Sequence, residues 1–220
     1  MIHSPEDIIR LIDEWGFVPF FKNEIPGFSL EEQTPAELWF SDTLDGPWEW
    51  KGPVIRRSGC AYGKFFRNKA VFIHDEWFTH FANHRRDGYD FDSRWEEGLA
   101  PQAEYQVWST LEPLPSLLSF DLKQQSGFGK NGRKGFDGVI TRLQMGGYIV
   151  TSDFEYRKDK QGKTYGWGVA RYATPEQRFG TAFTDHVYAC EPEESKEKIF
   201  AHLRALHPTV PEKVLWKLIG

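Results

Sequence analysis

Between Ala103 and Tyr172 the chain changes its hydrophobic period in a fixed order, and that order restricts the fold more than any other feature of its 220 residues. AEYQVWSTLEP repeats apolar residues at helical spacing through Ala103, Val107, Trp108 and Leu111, and Pro113 marks the stop. A second helix is expected from Ser119, a preferred N-cap, burying Phe120 and Leu122 and closing at Gly127, a residue suited to the left-handed C′ position. FGKNGRKG, with its three glycines and one Asn, reads as a connection. A third helix then carries Phe136, Ile140 and Leu143 on one face, leaves Lys134, Asp137 and Arg142 outside it, and ends at Gly146-Gly147. YIVTSDFEY alternates at period two, KDKQGK is a turn, and TYGWGVARY is the returning strand. Three helices followed by a β-ribbon is the order of a winged helix, so the expected fold is α+β with a winged-helix core.

Charge picks out the same segment. Residues 119–173 hold ten Lys/Arg against five acids, a net +5, in a chain whose formal charge is −5. An acidic chain that gathers positive charge around a helix-turn-helix and its wing has the electrostatic footprint of a nucleic-acid face. The residues expected to meet DNA are Lys130 and Arg133 at the entry to the third helix, Lys134 and Arg142 on it, and Lys158, Lys160 and Lys163 at the wing tip. Arg56, Arg57 and Lys64 extend the footprint. The bland alternative is a protein-interaction module whose exposed lysines serve only solvation.

A second charge boundary lies near the N-terminus. Residues 1–50 carry eleven acids and two bases, whereas residues 51–74 carry six bases and no acid. The switch follows DTLDGPWEWKGP, in which Trp48 and Trp50 alternate with Glu49 and Lys51. These residues read in two ways. Trp48, Trp50 and Lys51 could line a pocket in which a base stacks beside a cation, with Asp42, Asp45 or Glu49 activating water as in a divergent glycosylase-like hydrolase. Alternatively both Trp are core residues on a strand, with Glu49 and Lys51 turned outward.

The rest of the chain supplies the body. Ser4-Pro5-Glu6-Asp7 starts a helix with Ile8, Ile9, Leu11, Ile12 and Trp15 buried, and LEEQTPAELWF predicts another opening near Thr34. A strand pair turns at Arg67-Asn68, and Asp75 caps a helix bearing His80 and His84 four residues apart. With no Glu or Cys placed to complete a site, no metal is expected. DGYDFDSRWEEG lacks the Gly and closing Glu of a calcium loop and reads as an acidic loop. FGTAFTDHVYAC is a strand or short helix, and helices follow from Pro192 and within PEKVLWKLIG. The division expected is an N-terminal mixed α/β region (1–102), a winged-helix domain (103–174) and a C-terminal helical segment (175–220). No phosphate loop or nucleophile elbow is present, so no cofactor is expected. The first residues lack a signal peptide's basic start, no apolar run reaches bilayer length, and Cys60 and Cys190 form no CxxC. These features predict a cytoplasmic protein whose partner is duplex DNA rather than a membrane.

The run from TPAELWF through GPWEWKGPVIRRSGCAYGKFFRNKAVFI to EWFTHFAN, then SLLSFDLKQQSGFGKNGRKGFDGVITRLQMGGYIVTSDFEY and KTYGWGVARYATPE, resembles proteins grouped as AlkZ-related, relatives of the winged-helix DNA glycosylases. The resemblance covers most of the chain and implies a winged-helix core and a DNA-directed role associated with repair. Glycosylases of that group use a Gln-apolar-Gln or Gln-apolar-Asp motif on an extruded nucleotide. Here Gln33, Gln102, Gln106, Gln124, Gln125, Gln144, Gln161 and Gln177 each lack a Gln or Asp two residues on, so no catalytic residue carries over. The expected function is DNA binding without a recognisable glycosylase motif.

Overall fold

The structure, a computed structural model, describes residues 1–220 except Asp42, Asn131, Asp159, Gly162 and Lys163; of Arg157, Lys158 and residues 164–167 it gives the backbone only. The Ser4 hydroxyl accepts the Asp7 amide at 3.3 Å and opens helix α1 (Pro5–Trp15). Strand β1 (Phe17–Pro19) follows directly. It pairs antiparallel with β3 (Lys69–Ile73), which pairs in turn with β2 (Ala61–Phe66), giving the order β1-β3-β2. Arg67 and Asn68 both adopt positive φ, 49° and 63°, as a two-residue hairpin turn requires.

Successive strand residues face opposite sides, and this sheet buries both. Phe17, Ala61, Val71 and Ile73 pack with Phe78 and Phe81 of α4 (Asp75–Arg86) and with Ile199 and Leu203 of α11 (Pro192–Leu206). Val18, Tyr62 and Phe72 pack with Ile8 and Ile12 of α1 and with Trp50 and Val54 of α3 (Pro47–Ser58). Leu215 and Leu218 of α12 (Glu212–Ile219) complete the first of these cores.

A third core gathers α6 (Gln102–Leu111), α7 (Ser119–Gln125) and α8 (Phe136–Met145) through Val107, Leu111, Leu122, Phe136, Ile140 and Leu143. Beside it lies an antiparallel sheet in the order β4-β6-β5, made of β4 (Leu117–Leu118), β5 (Val150–Lys158) and β6 (Thr164–Ala173). Val150 and Ala173, at the base of this ribbon, belong to the first core and join the two sheets. The result is a mixed α+β chain with two small antiparallel sheets.

Several local expectations need correction. DTLDGPWEWKGP is not a strand: Pro47 at N1 and a Glu49 carboxylate accepting the Gly46 amide at 3.0 Å start α3, whose buried stripe Pro47, Trp50, Lys51, Val54 and Ile55 includes the lysine expected outside. Ser119 is the first residue of α7 rather than its cap, and Phe120 is 50% exposed rather than buried. Lys134 precedes α8, which begins at Phe136. DGYDFDSRWEEG is not a loop; Asp90 accepts the Ser93 amide at 2.7 Å and caps α5 (Phe91–Glu96). LEEQTPAELWF forms two single turns, α2 (Leu30–Gln33) and a 3₁₀ turn (Ala36–Leu38). Asp75 begins α4 and is not its cap; of the two readings of FGTAFTDHVYAC the short helix holds, as α10 (Thr181–Thr184), which follows α9 (Pro175–Phe179). Among the described residues no helix is long and apolar enough to cross a membrane.

Candidate nucleic-acid interface

The connection between α7 and α8 folds back on itself. Arg133 donates its amide to the Gly127 carbonyl at 3.0 Å, and Gly129 donates to the Arg133 carbonyl at 3.2 Å. A Cβ at position 132 would stand 2.3 Å from the Gly127 oxygen, so only glycine fits this close approach. Phe128 anchors the loop, buried and edge-on to Phe136 with ring centroids 5.5 Å apart. With the backbone satisfied internally and one aromatic pinned below, the remaining side chains face outward. Lys130, Arg133 and Lys134 are exposed, and none has an acidic partner among the described residues. Lys123 and Lys130 line a shallow cleft of about 580 Å³ with the half-exposed Phe120.

Other expected contacts are already committed. Arg142 does not project freely from α8; its Nε donates to Glu104 of α6 at 2.7 Å, and that carboxylate is buried to 6% exposure. Arg56 pairs with Asp153 of β5, and Arg57 pairs with Glu6 of α1. The Arg57 bond is also what holds the Glu6 carboxyl below the usual carboxylate range. A guanidinium already held by a carboxylate gains less from a phosphate than a free one does.

Lys64 stands differently. Its Nζ reaches Thr141 of α8 at 3.4 Å, and its backbone amide donates to Gln144 at 3.1 Å. Gln144 also donates to Thr151 of β5 at 3.1 Å, so one buried side chain fixes β2, α8 and the ribbon together. Lys64 therefore adjoins the α8 face, 77 residues away in sequence. Lys160 is exposed in the ribbon turn, whereas Lys163 and the side chain of Lys158 lie outside the described residues.

The α3 segment is built around burial. Trp50 is in the core and Trp48 is half-buried against it. Asp45 is exposed, Glu49 holds the helix cap, and Asp42 lies outside the described residues. Pro53 inside α3 supplies no amide for the Glu49 carbonyl, and the Tyr156 hydroxyl of β5 donates to the Trp48 carbonyl at 2.8 Å. Burial pushes the Tyr156 hydroxyl up to about 12, so it remains a donor. Lys51 shares this buried surface and is only 8% exposed.

Sequence reasoning missed two participants, Gln144 and the buried Lys51. Gly-Pro followed by Glu at N3 is a helix start, and helical spacing from Pro47 would have placed Lys51 on the inner face.

Elsewhere, a cavity of about 950 Å³ is lined by α4 and α9–α11 residues including His80, Arg178, Phe179, Phe183, Cys190 and Glu194. His80 and His84 do not share a ligand: His80 Nδ1 meets Ser195 Oγ at 3.0 Å, and His84 Nε2 meets the Gly220 carbonyl at 3.0 Å. Among the described residues no three His, Cys, Asp or Glu groups are placed to hold a metal.

A family model described as AlkZ related matches residues 2–220. No curated protein and no solved structure matches the chain.

Proposed function

Since the chain belongs to the AlkZ-related family, we propose that it is a DNA-binding protein associated with repair, with residues 103–174 forming a winged helix on a body made of the segments before and after. The single observation that carries this reading is the free cationic loop at the start of α8. Lys130, Arg133 and Lys134 extend from a backbone that needs none of them, while the arginines nearby are paired to acids. Two further features support it. The order α6-β4-α7-α8-β5-β6 with sheet order β4-β6-β5 is compatible with a helix-turn-helix followed by a wing. Lys64 continues the cationic track from β2 onto the α8 face.

In this reading α8 approaches the major groove, and the loop before it clamps phosphates on one side. The wing turn, with Lys160, reaches the adjoining backbone. A hydrolase built on Asp45 and Glu49 has less support, because Glu49 is held in the α3 cap. The test is a binding titration with a short duplex, repeated after reversing Lys130, Arg133 and Lys134 to Glu together. The expected result is loss of binding in the variant with the fold intact; unchanged binding would overturn the reading.

A further inference from the structure

The cavity of about 950 Å³ has a half-buried thiol, Cys190, and an imidazole, His80, on its wall. Between them stands Ser195 of α11, fully buried, its Oγ 3.3 Å from Cys190 Sγ and 3.0 Å from His80 Nδ1. Asn83 of α4 donates its Nδ2 to the same oxygen at 2.9 Å and to the Cys190 carbonyl at 2.8 Å. A serine hydroxyl has one hydrogen to give and two lone pairs to receive with. Asn83 takes one lone pair, so the other two bonds must run in one direction along the chain. Either Cys190 donates to Ser195 and Ser195 to His80, or His80 donates to Ser195 and Ser195 to a Cys190 thiolate. The two arrangements differ by one proton moved from sulfur to imidazole, and Ser195 is its path.

Burial, and after it the Lys198 ammonium, hold His80 below the usual imidazole range against the pull of Glu76 and Glu194, so at neutral pH the ring is free to accept. Cys60 has no such path; it is packed in the core, and burial pushes its thiol up to about 12. The wall around Cys190 also carries charge of both signs. Lys198 is taken up by Glu194 at 2.8 Å, whereas Glu76, Glu191 and Arg178 have no ion-pair partner among the described residues. Arg178 gives one Nη to the Ile55 carbonyl at 2.9 Å, which holds its guanidinium in place at the cavity. The volume is that of a small-molecule site, and a ligand bearing both carboxylate and ammonium groups matches this lining.

We infer that Cys190 is a thiol–disulfide exchange site for a low-molecular-weight disulfide of amino-acid type, with His80 taking the thiol proton through Ser195. Cys190 Sγ attacks one sulfur of the bound disulfide as its proton passes to Nδ1. An Sγ–S bond forms and the ligand's own S–S bond breaks. The departing sulfur leaves with the electron pair and takes a proton from the imidazolium on the same cavity wall, so Cys190 is oxidised, half of the ligand is released reduced, and no other oxidant is required. Arg178 faces a carboxylate of the ligand, and Glu76 and Glu191 face its ammonium groups. This site stands apart from the cationic loop and does not depend on DNA binding.

The test uses glutathione disulfide as the probe and 2-hydroxyethyl disulfide as a neutral comparison. The reduced full chain is incubated with each from about pH 6 to about pH 9, and intact mass with peptide mapping reads the rate and the residue modified. One glutathione should be added, on Cys190, with Cys60 unmodified. The wild-type rate should level off near neutrality, once His80 has lost its proton, and should saturate with glutathione disulfide but not with the neutral disulfide. In Ser195→Ala the path is cut. Its rate at neutral pH should fall about tenfold and then climb about tenfold per pH unit toward the ordinary thiol range, and His80→Gln should show the same profile. An absent adduct, or one on Cys60, overturns the inference. So does a wild-type rate that climbs through neutrality like that of an unassisted thiol, or one that is equal and unsaturating for the two disulfides; neither result needs a variant to fold.

Discussion

Replacing Lys130, Arg133 and Lys134 together with Gln removes three exposed cations and no described ion pair. The substitutions lie on the surface of a loop whose backbone bonds are internal, so each should change stability by no more than about 0.5 kcal/mol. Each phosphate neutralised steepens the dependence of log K on log salt by about 0.9, so losing three contacts flattens the slope by about 2.7. From about 50 to about 200 mM salt, the wild-type affinity should therefore fall roughly 40-fold further than the variant's. Fluorescence anisotropy on a labelled duplex across that range reads both slopes. Replacing Arg56 and Arg57 with Gln is the control, because Asp153 and Glu6 already hold them; its slope should move by less than about 1. Equal slopes for wild type and the triple variant would refute the reasoning, as would a larger change in the control.

Two further predictions concern the body. Arg142→Ala leaves the buried Glu104 carboxylate without its partner and should lower stability by about 1–2 kcal/mol in chemical denaturation, with little change in the salt slope of DNA binding. Lys51, whose folded pKa is lowered to about 8, makes the unfolded chain bind more protons at moderately alkaline pH. The lysine's own contribution should therefore rise with pH, by roughly 1.5 kcal/mol between about pH 8 and 9.5, and is read as the change with pH in the stability difference between wild type and Lys51→Met, because the buried Cys60 thiol, pushed up to about 12, works in the opposite direction in both proteins. A difference between the two proteins that stays constant across that range would contradict the burial of that amine.

Much of the architecture was legible because local signals agreed with one another. α6, α8 and the ribbon each announce themselves by period and by a glycine or proline at the boundary. α3 was misread because Trp48 and Trp50 imitate the alternation of a strand over four residues. The helix start just before them carried more information than the alternation did. Charge pairing was harder to see. Arg56 meets Asp153 from 97 residues away, and Arg142 meets Glu104 from 38 away, so a count of basic residues along the chain overstates the charge left free. The burial of Lys51 was illegible for the same reason, since the Phe154 ring, its centroid 4.2 Å from Nζ, comes from a strand about a hundred residues later in the chain. Lys130, Arg133 and Lys134 keep their expected exposure because a loop closed on its own backbone asks nothing of its side chains.

The most direct measurement is a residue-by-residue map of where DNA lies, obtained by titrating a short duplex into isotope-labelled protein and following backbone amide shifts. The largest shifts should fall on Lys123 to Lys134, on α8, on Lys64 and along the β5–β6 ribbon. Shifts confined to the α4 and α11 surfaces, with residues 123–134 unmoved, would contradict a DNA-facing winged helix.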